Sequence, residues 1–337
     1  MRSRCPVRCR AALAFVATIA IAATRPHYGG VLRVQIRDRI ESADPPQSGP
    51  GMAQLNDAFA VTRWEAGHRA VYTASENAPG GRSFLDAVDV QMADPLRSRA
   101  IELGHADIVE LALSEAPRVP AGQRIWSSSP VRLIALVFSP RIEDVRVREA
   151  LALAIDRVAI HNVLLRRQGE ISGGLLPQWI SGYAFLFPTF SNALRPRGRS
   201  PVEGLPAAAR TLSLAADDRP MADRIALNAR DAGLLVSVVP APAAADVRLT
   251  HARIASANAA QALPLVAAAL GLPEPPRAET PEALYAAEHA LLDGYRVIPL
   301  FHLPDVYAVS PRVKGGPGIT PLGEWRFENL WLDAARP

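Results

Sequence analysis

The chain has 337 residues, of which 49% are hydrophobic and 21% are charged, a composition that suits two globular domains and excludes an intrinsically disordered protein. Its formal net charge is +4, but four arginines fall within the first ten residues. Without those four arginines the formal charge is zero, so the composition gives no support for nucleic-acid binding.

Residues 1–24 have the pattern of a secretory signal peptide. The four arginines precede an apolar run at residues 11–23, which is shorter than the roughly 20 residues that span a bilayer. We therefore expect cleavage near residues 22–24 and a periplasmic protein, with an uncleaved anchor as the alternative. Both cysteines, Cys5 and Cys9, lie in this leader before the apolar run, so the mature chain is expected to have neither a disulfide nor thiol chemistry.

The first half of the chain is predicted to be mostly strands, because short apolar or alternating runs are separated by Gly, Pro and Asp. The run at residues 131–138 is apolar almost throughout, which favours a strand buried on both faces. The predicted elements are a strand at 28–37, a loop at 44–51, a hairpin at 58–74, a strand at 84–92, a helix ending near Gly104, a strand at 107–111 and the strand at 131–138.

A helix is predicted at residues 147–160, with Asp144 as its N-cap. Its apolar positions recur at the spacing of one helical face: Val147, Ala150, Leu151, Ala154, Ile155 and Val158. Three arginines, Arg146, Arg148 and Arg157, are interpreted as its solvated, charged side.

The second half alternates strands and helices. After a Pro- and Arg-rich connector at residues 192–206, residues 211–240 predict a strand, a helix stopped at Gly233 and a second strand parallel to the first. A further helix is expected to begin at Thr280 and Pro281 and to stop at Gly294, before a buried strand at 297–303. The fold class is therefore α/β.

Several segments, in this order, resemble the extracellular solute-binding proteins of family 5, which serve ABC importers of peptides, nickel chelates and related solutes. The most specific is the D-x-R-V-R-x-A-L-x-x-A-I-D-R pattern at residues 144–157, followed by "GGLLP" and "GY" between residues 173 and 183. The resemblance implies a type II periplasmic-binding-protein fold with two lobes joined by a hinge. Lobe I is expected to comprise residues 28–137 and 300–337, and lobe II residues 138–299, with the two long apolar strands crossing between them.

Two departures from the family pattern bear on function. The long segment that follows the first strand in usual members is reduced here to about twenty residues, so the family's extra domain is largely missing. The acid that pairs with a peptide's amino terminus is also not found in the loop after Asp246. The resemblance implies a monomeric solute-binding component that delivers a small polar solute or short peptide to an ABC permease in the inner membrane. The alternative is a reduced, non-transporting relative that acts as a periplasmic interaction or scaffold protein.

The candidate ligand contacts are aromatic or polar residues near the predicted crossings and the Gly/Pro loop. For each of them a structural role, as a core anchor or a strand-end hydrogen bond, is the alternative. They are Trp126, Phe138, Ser139, Trp179, Tyr183, His302 and Asp305. Enzyme motifs are missing, with no nucleophile elbow, Walker loop or dinucleotide fingerprint and no metal spacing among the seven histidines, so we expect neither catalysis nor a cofactor.

Overall fold

The computed structural model describes residues 26–37, 58–92, 105–119, 122–189 and 201–333. The predicted leader, the loop at 44–51, the helix before Gly104 and most of the connector at 192–206 lie outside the described residues. The helices are α1 (Val145–Ala154), α2 (Arg157–Val163), α3 (Gln178–Ser181), α4 (Arg219–Asp231), α5 (Ala259–Ala269) and α6 (Pro281–Leu292). The strands are β1 (Val31–Ile36), β2 (Phe59–Glu65), β3 (Arg69–Ala74), β4 (Ala87–Met92), β5 (Ile108–Glu110), β6 (Arg124–Ser127), β7 (Arg132–Phe138), β8 (Glu170–Ile171), β9 (Thr211–Ala216), β10 (Leu235–Pro240), β11 (Val247–Arg253), β12 (Val297–Leu303), β13 (Val306–Val309), β14 (Val313–Lys314) and β15 (Trp331–Leu332).

Sheet I has seven strands in the order β2-β3-β4-β1-β5-β13-β6. Strand β1 runs parallel to β4 and β5, whereas β2 and β3 form the predicted hairpin. The alternation of β1, with Leu32, Val34 and Ile36 buried, turns one face of the sheet onto a core that also contains Trp325 and Phe327. The N-terminal part of the chain and its C-terminal segment therefore share one hydrophobic core.

Sheet II has six strands in the order β10-β9-β11-β7-β12-β8. Strands β9 and β10 are parallel and joined by α4, as the strand–helix–strand pattern predicts. Strand β7 lies between β11 and β12 and is buried on both faces, which explains its continuous apolar sequence. Helices α1 and α4 cover one face of sheet II, and α5 and α6 pack on the other.

The predicted helix at 147–160 is two helices, α1 and α2. The chain is extended at Ile155, and Asp156 Oδ1 accepts the N–H of Ala159 at 2.9 Å, which caps a new helix. The apolar positions keep their helical spacing across this break, which is why the sequence predicts one helix. That prediction was wrong, and Val158 is exposed.

The charged face predicted for this region is also wrong in part, although Arg146 is exposed. Arg148 and Arg157 are buried and donate to backbone carbonyls, Arg148 to those of Ile142, Glu143 and Gly294. A guanidinium with five N–H donors satisfies several carbonyls at once, which a sequence period does not reveal.

The chain passes between the sheets at residues 128–131, after β6, and at residues 304–305, between β12 and β13. Both long apolar strands thus belong wholly to sheet II, whereas the boundaries drawn from the sequence, after residue 137 and before residue 300, place most of each strand in lobe I. The physical reason is that continuous apolar character suits a central strand as well as a crossing strand. In the described part of the chain, no helix is long and apolar enough to cross a membrane.

Candidate functional site

The two passages between the sheets lie side by side and are hydrogen-bonded to each other. The N–H of Asp305 donates to Ser128 Oγ at 2.8 Å, and the N–H of Ser128 donates to the carbonyl of Asp305 at 3.0 Å. The N–H of Val131 also donates to the carbonyl of Leu303 at 2.9 Å. We call this paired segment, residues 128–131 and 304–305, the waist.

Four charged residues meet at the waist, and we call them the waist cluster: Glu110, Arg132, Arg253 and Asp305. Asp305 Oδ1 accepts from Arg132 Nη2 at 2.8 Å, and Asp305 Oδ2 accepts from Arg253 Nη1 at 2.6 Å. Arg132 Nη2 also lies 3.1 Å from Glu110 Oε1. Since Glu110 belongs to sheet I and both arginines belong to sheet II, this cluster links the two sheets directly.

Strand register explains why these residues form a cluster. Arg253 ends β11 and Arg132 begins the antiparallel β7, and the register places the two residues directly opposite each other. Like charges opposite each other destabilise a sheet. The carboxylate of Asp305, whose side chain is 0% exposed, bonds both guanidinium groups and offsets this repulsion.

The waist is also where the carboxyl ends of parallel strands from both sheets converge. Glu110 ends β5 in sheet I and Arg253 ends β11 in sheet II. Ligands of open α/β sheets bind beside the carboxyl ends of the strands. The side chain of Arg253 remains 30% exposed although it bonds Asp305 and the carbonyl of Leu322. This edge therefore offers a ligand a cation held in place by a buried acid.

Among the predicted site residues, Trp179 and Asp305 come together at the waist. Trp179 Nε1 donates to the carbonyl of Pro130 at 2.8 Å, and the residue stays 38% exposed, so its ring is available beside the crossing. Trp126 lies in β6, two residues before the waist, but its ring is buried in the sheet I core against Gly318. The sequence reasoning missed Glu110, Arg132 and Arg253. Glu110 and Arg132 each lie at one end of an apolar strand, which is the sequence signal that could have identified them, whereas Arg253 ends a strand with alternating apolar and polar residues.

Phe138 and Ser139 lie at the other end of β7 from the waist, about 20 Å away along the strand. Phe138 packs in the sheet II core, and the N–H of Ser139 donates to the carbonyl of Asp246 at 2.8 Å. The sequence predicts a crossing at that end of β7, whereas the passage between the sheets lies at the other end. The structure does not bring them to the waist cluster.

Tyr183 and His302 are buried in the interior of the sheet II lobe. The hydroxyl of Tyr183 donates to Glu288 Oε2 at 2.9 Å, and His302 Nε2 donates to the carbonyl of Leu175 at 3.0 Å. Burial lowers the pKa of His302 to about 4, so the imidazole is neutral near pH 7. The described residues include no group of three or more His, Cys, Asp or Glu side chains placed to hold a metal ion.

Comparison with known proteins gives one family match. The model of bacterial extracellular solute-binding proteins, family 5 Middle, matches residues 13–234. No curated protein sequence matches the chain significantly.

Solved structures match the fold. They include the Escherichia coli murein tripeptide binding protein MppA, with a TM-score of 0.65 at 14% identity, covering 82% of this chain and 64% of that one. The periplasmic binding protein DppA from Helicobacter pylori, in complex with the peptide STSA, gives 0.64 at 15% identity, covering 82% of this chain and 62% of its own. The dipeptide binding protein from Pseudoalteromonas sp. SM9913, in complex with Met-Leu, gives 0.62 at 14% identity, with 82% and 64% covered. The chain thus spans less than two thirds of the length of these structures.

Proposed function

Because the chain belongs to the bacterial extracellular solute-binding proteins of family 5, we propose that it binds a short peptide or other small polar solute between its two sheets and delivers it to an ABC permease. The observation that carries this proposal is the waist cluster. It places charged side chains of both sheets at the carboxyl ends of their parallel strands, beside the two passages of the chain.

The proposed mechanism is closure about the waist. Arg253 and the exposed part of Trp179 offer a carboxylate partner and a stacking surface on the sheet II side, while Glu110 brings an acid from sheet I. A solute that contacts both sides favours the closed form by the difference between its affinities for the closed and open forms. The permease then recognises that form.

The test is a thermal-shift and calorimetric screen with di- to tetrapeptides and nickel chelates. Binding to the folded state alone stabilises it by about 2.7 kcal/mol when the ligand is at 100 times its Kd. We expect at least one probe to raise the melting temperature. The absence of a shift with any probe at about 1 mM would count against solute binding, since a Kd of 1 mM already corresponds to only about 4 kcal/mol of binding free energy.

Arg253→Gln should weaken the binding of any probe found in this way by about tenfold, because it removes a charge-assisted hydrogen bond. The matched control is Arg248→Gln, on the same strand but exposed to solvent. Equal affinity in both variants would place the ligand away from the waist.

We further propose that residues 1–24 direct export and are removed, and that the mature protein is a periplasmic monomer. The family description, extracellular, supports the location. N-terminal sequencing of the protein from a periplasmic extract should begin near residues 23–25. Recovery of the intact Met1 terminus from the membrane fraction would instead indicate an anchor.

The shorter span relative to the matched structures favours one alternative, a non-transporting relative that acts as an interaction or scaffold protein. It predicts that no solute shifts the melting temperature while the protein still co-purifies with a periplasmic partner. The same screen therefore separates the two functions.

A further inference from the structure

A cavity of about 160 Å³ lies in the sheet II lobe, on the first half of β12 and away from the waist. Strand β8 has only two residues and pairs with β12 only at Phe301 and His302, so no strand among the described residues pairs with the outer edge of residues 297–299. A register shift follows at Pro299, whose ring also removes a backbone donor. The cavity lies against this edge, with Val297, Ile298 and Pro299 in its wall.

Arg157 lines the cavity. Arg157 is only 2% exposed. Its Nη1 donates to the carbonyl of Ala152 and its Nη2 to the carbonyl of Pro299, both at 3.3 Å. Burial lowers the pKa of this guanidinium to about 10, so it stays protonated at neutral pH. A permanent cation therefore faces a space large enough for a small molecule.

The turn at Gly294 and Tyr295 forms another wall of the cavity and has arginine side chains beside it. Gly294 and Tyr295 both have left-handed backbone conformations, with φ of 70° and 58°, which is uncommon for a tyrosine. Arg148 Nε donates to the carbonyl of Gly294 at 2.6 Å, and Arg148 shares the carbonyl of Ile142 with Arg296. Two guanidinium groups, those of Arg148 and Arg296, thus lie beside the turn, in addition to Arg157 in the cavity wall.

The acids near the cavity are few. Asp293 lines its mouth and is exposed, and Glu149 lies 3.5 Å from the Tyr295 hydroxyl outside the cavity. Glu288 packs behind Gly174 and Phe187, and burial raises its pKa to about 7, so it is only partly ionised at neutral pH. The imidazole of His289 also lines the cavity, and the rest of the wall is mostly apolar, with Phe187, Leu292 and Val297.

We propose that this cavity binds a small organic monocarboxylate, with its carboxylate on the Arg157 guanidinium and its apolar body against Phe187. A cavity of about 150 Å³ accepts a benzene-sized group, which sets the size of that body. Arginine pairs with carboxylates through parallel, charge-assisted hydrogen bonds, which fixes the charge. The proposal does not depend on solute binding at the waist.

The test compares benzoate with its neutral isostere benzamide by calorimetric titration of the full chain. We expect benzoate to bind at least about tenfold more tightly than benzamide, since only benzoate gains charge-assisted bonds. Arg157→Met should abolish this preference, whereas the exposed Arg230→Met should not. Equal affinities for the two probes, or no benzoate binding at about 10 mM, would overturn the proposal.

A second variant keeps the test valid where Arg157→Met fails to fold. Asp293→Asn removes the acid at the cavity mouth and should tighten benzoate binding about two- to fivefold, because one repulsive charge is lost. Asp231→Asn, exposed at the end of α4, is the matched control and should leave the affinity unchanged. Loss of benzoate binding in Arg253→Gln would show that benzoate binds at the waist and would contradict the proposal.

Discussion

At the scale of single residues, Asp305 has the largest structural consequence. It is fully buried, bonds Arg132 and Arg253 with its side chain, and bonds Ser128 through both its N–H and its carbonyl. The sequence suggested a ligand contact here because a polar residue follows a buried strand. The two arginines that it holds lie 173 and 52 positions away, and no local pattern predicts such pairing.

Asp305→Asn should lower the free energy of unfolding by about 2 kcal/mol. Breaking a fully buried ion pair costs about 3–5 kcal/mol, and the partial exposure of both arginines reduces this value. Urea unfolding followed by circular dichroism measures the change. Asp223→Asn removes an exposed pair with Arg219 and should change stability by less than about 0.5 kcal/mol. Similar losses in the two variants would show that the waist pair is no stronger than a surface pair.

At the scale of elements, helix α6 and strand β12 hold one loop residue from two sides. The N–H of Leu175 donates to Glu288 Oε1, and its carbonyl accepts from His302 Nε2. Burial raises the pKa of Glu288 to about 7 and lowers that of His302 to about 4. The two groups therefore act on stability with opposite pH dependence.

The folded state holds the Glu288 proton between about pH 4.5 and pH 7, where the unfolded state has lost it, so this group lowers stability as the pH rises through that window. His302 does the reverse between about pH 4 and pH 6.5, because only the unfolded state binds its proton there. Glu288→Gln removes the first contribution. The stability difference between wild type and variant should fall by roughly 3 kcal/mol from pH 4.5 to pH 7.

Urea unfolding at intervals from pH 4 to pH 8 measures this difference. The control is Glu282→Gln, an exposed glutamate in the first turn of the same helix, whose curve should run parallel to that of the wild type. A parallel curve for Glu288→Gln as well would mean that the buried carboxyl does not hold its proton.

The elements also show how far sequence reasoning reaches. The hairpin β2–β3 and the unit β9–α4–β10 were predicted because their signals are local: a turn, a helical stripe and the glycine stop at Gly233. The break between α1 and α2 was missed because the side chain of Asp156 fits either an exposed helix position or a cap. The waist cluster was missed because it depends on strand register between distant segments.

At the scale of the whole molecule, two sheets with separate hydrophobic cores are joined by two short, paired passages of chain. The type II periplasmic-binding-protein architecture expected from the sequence is confirmed by the solved structures that match the fold. Hinges of this kind absorb domain closure in a few residues at the ends of elements. Closure is therefore expected to leave the sheets unchanged.

Small-angle X-ray scattering should show a smaller radius of gyration when the protein is saturated with a peptide that binds at the waist. The reason is that the proposed closure would draw the two sheets together in the bound form. Arg253→Gln at the same peptide concentration should keep the dimensions of the free protein. An unchanged radius with saturating peptide would mean that binding occurs without closure.

The indole of Trp179 is a natural fluorophore beside the waist. Of the five tryptophans, Trp64 and Trp179 are 47% and 38% exposed, whereas the other three are buried in sheet I and its C-terminal segment. Trp179 donates to Pro130 within the passage itself, so any rearrangement there changes the polarity around its ring. In a Trp64→Phe protein, Trp179 would consequently serve as an intrinsic fluorescent reporter of motion between the two sheets, with no added dye.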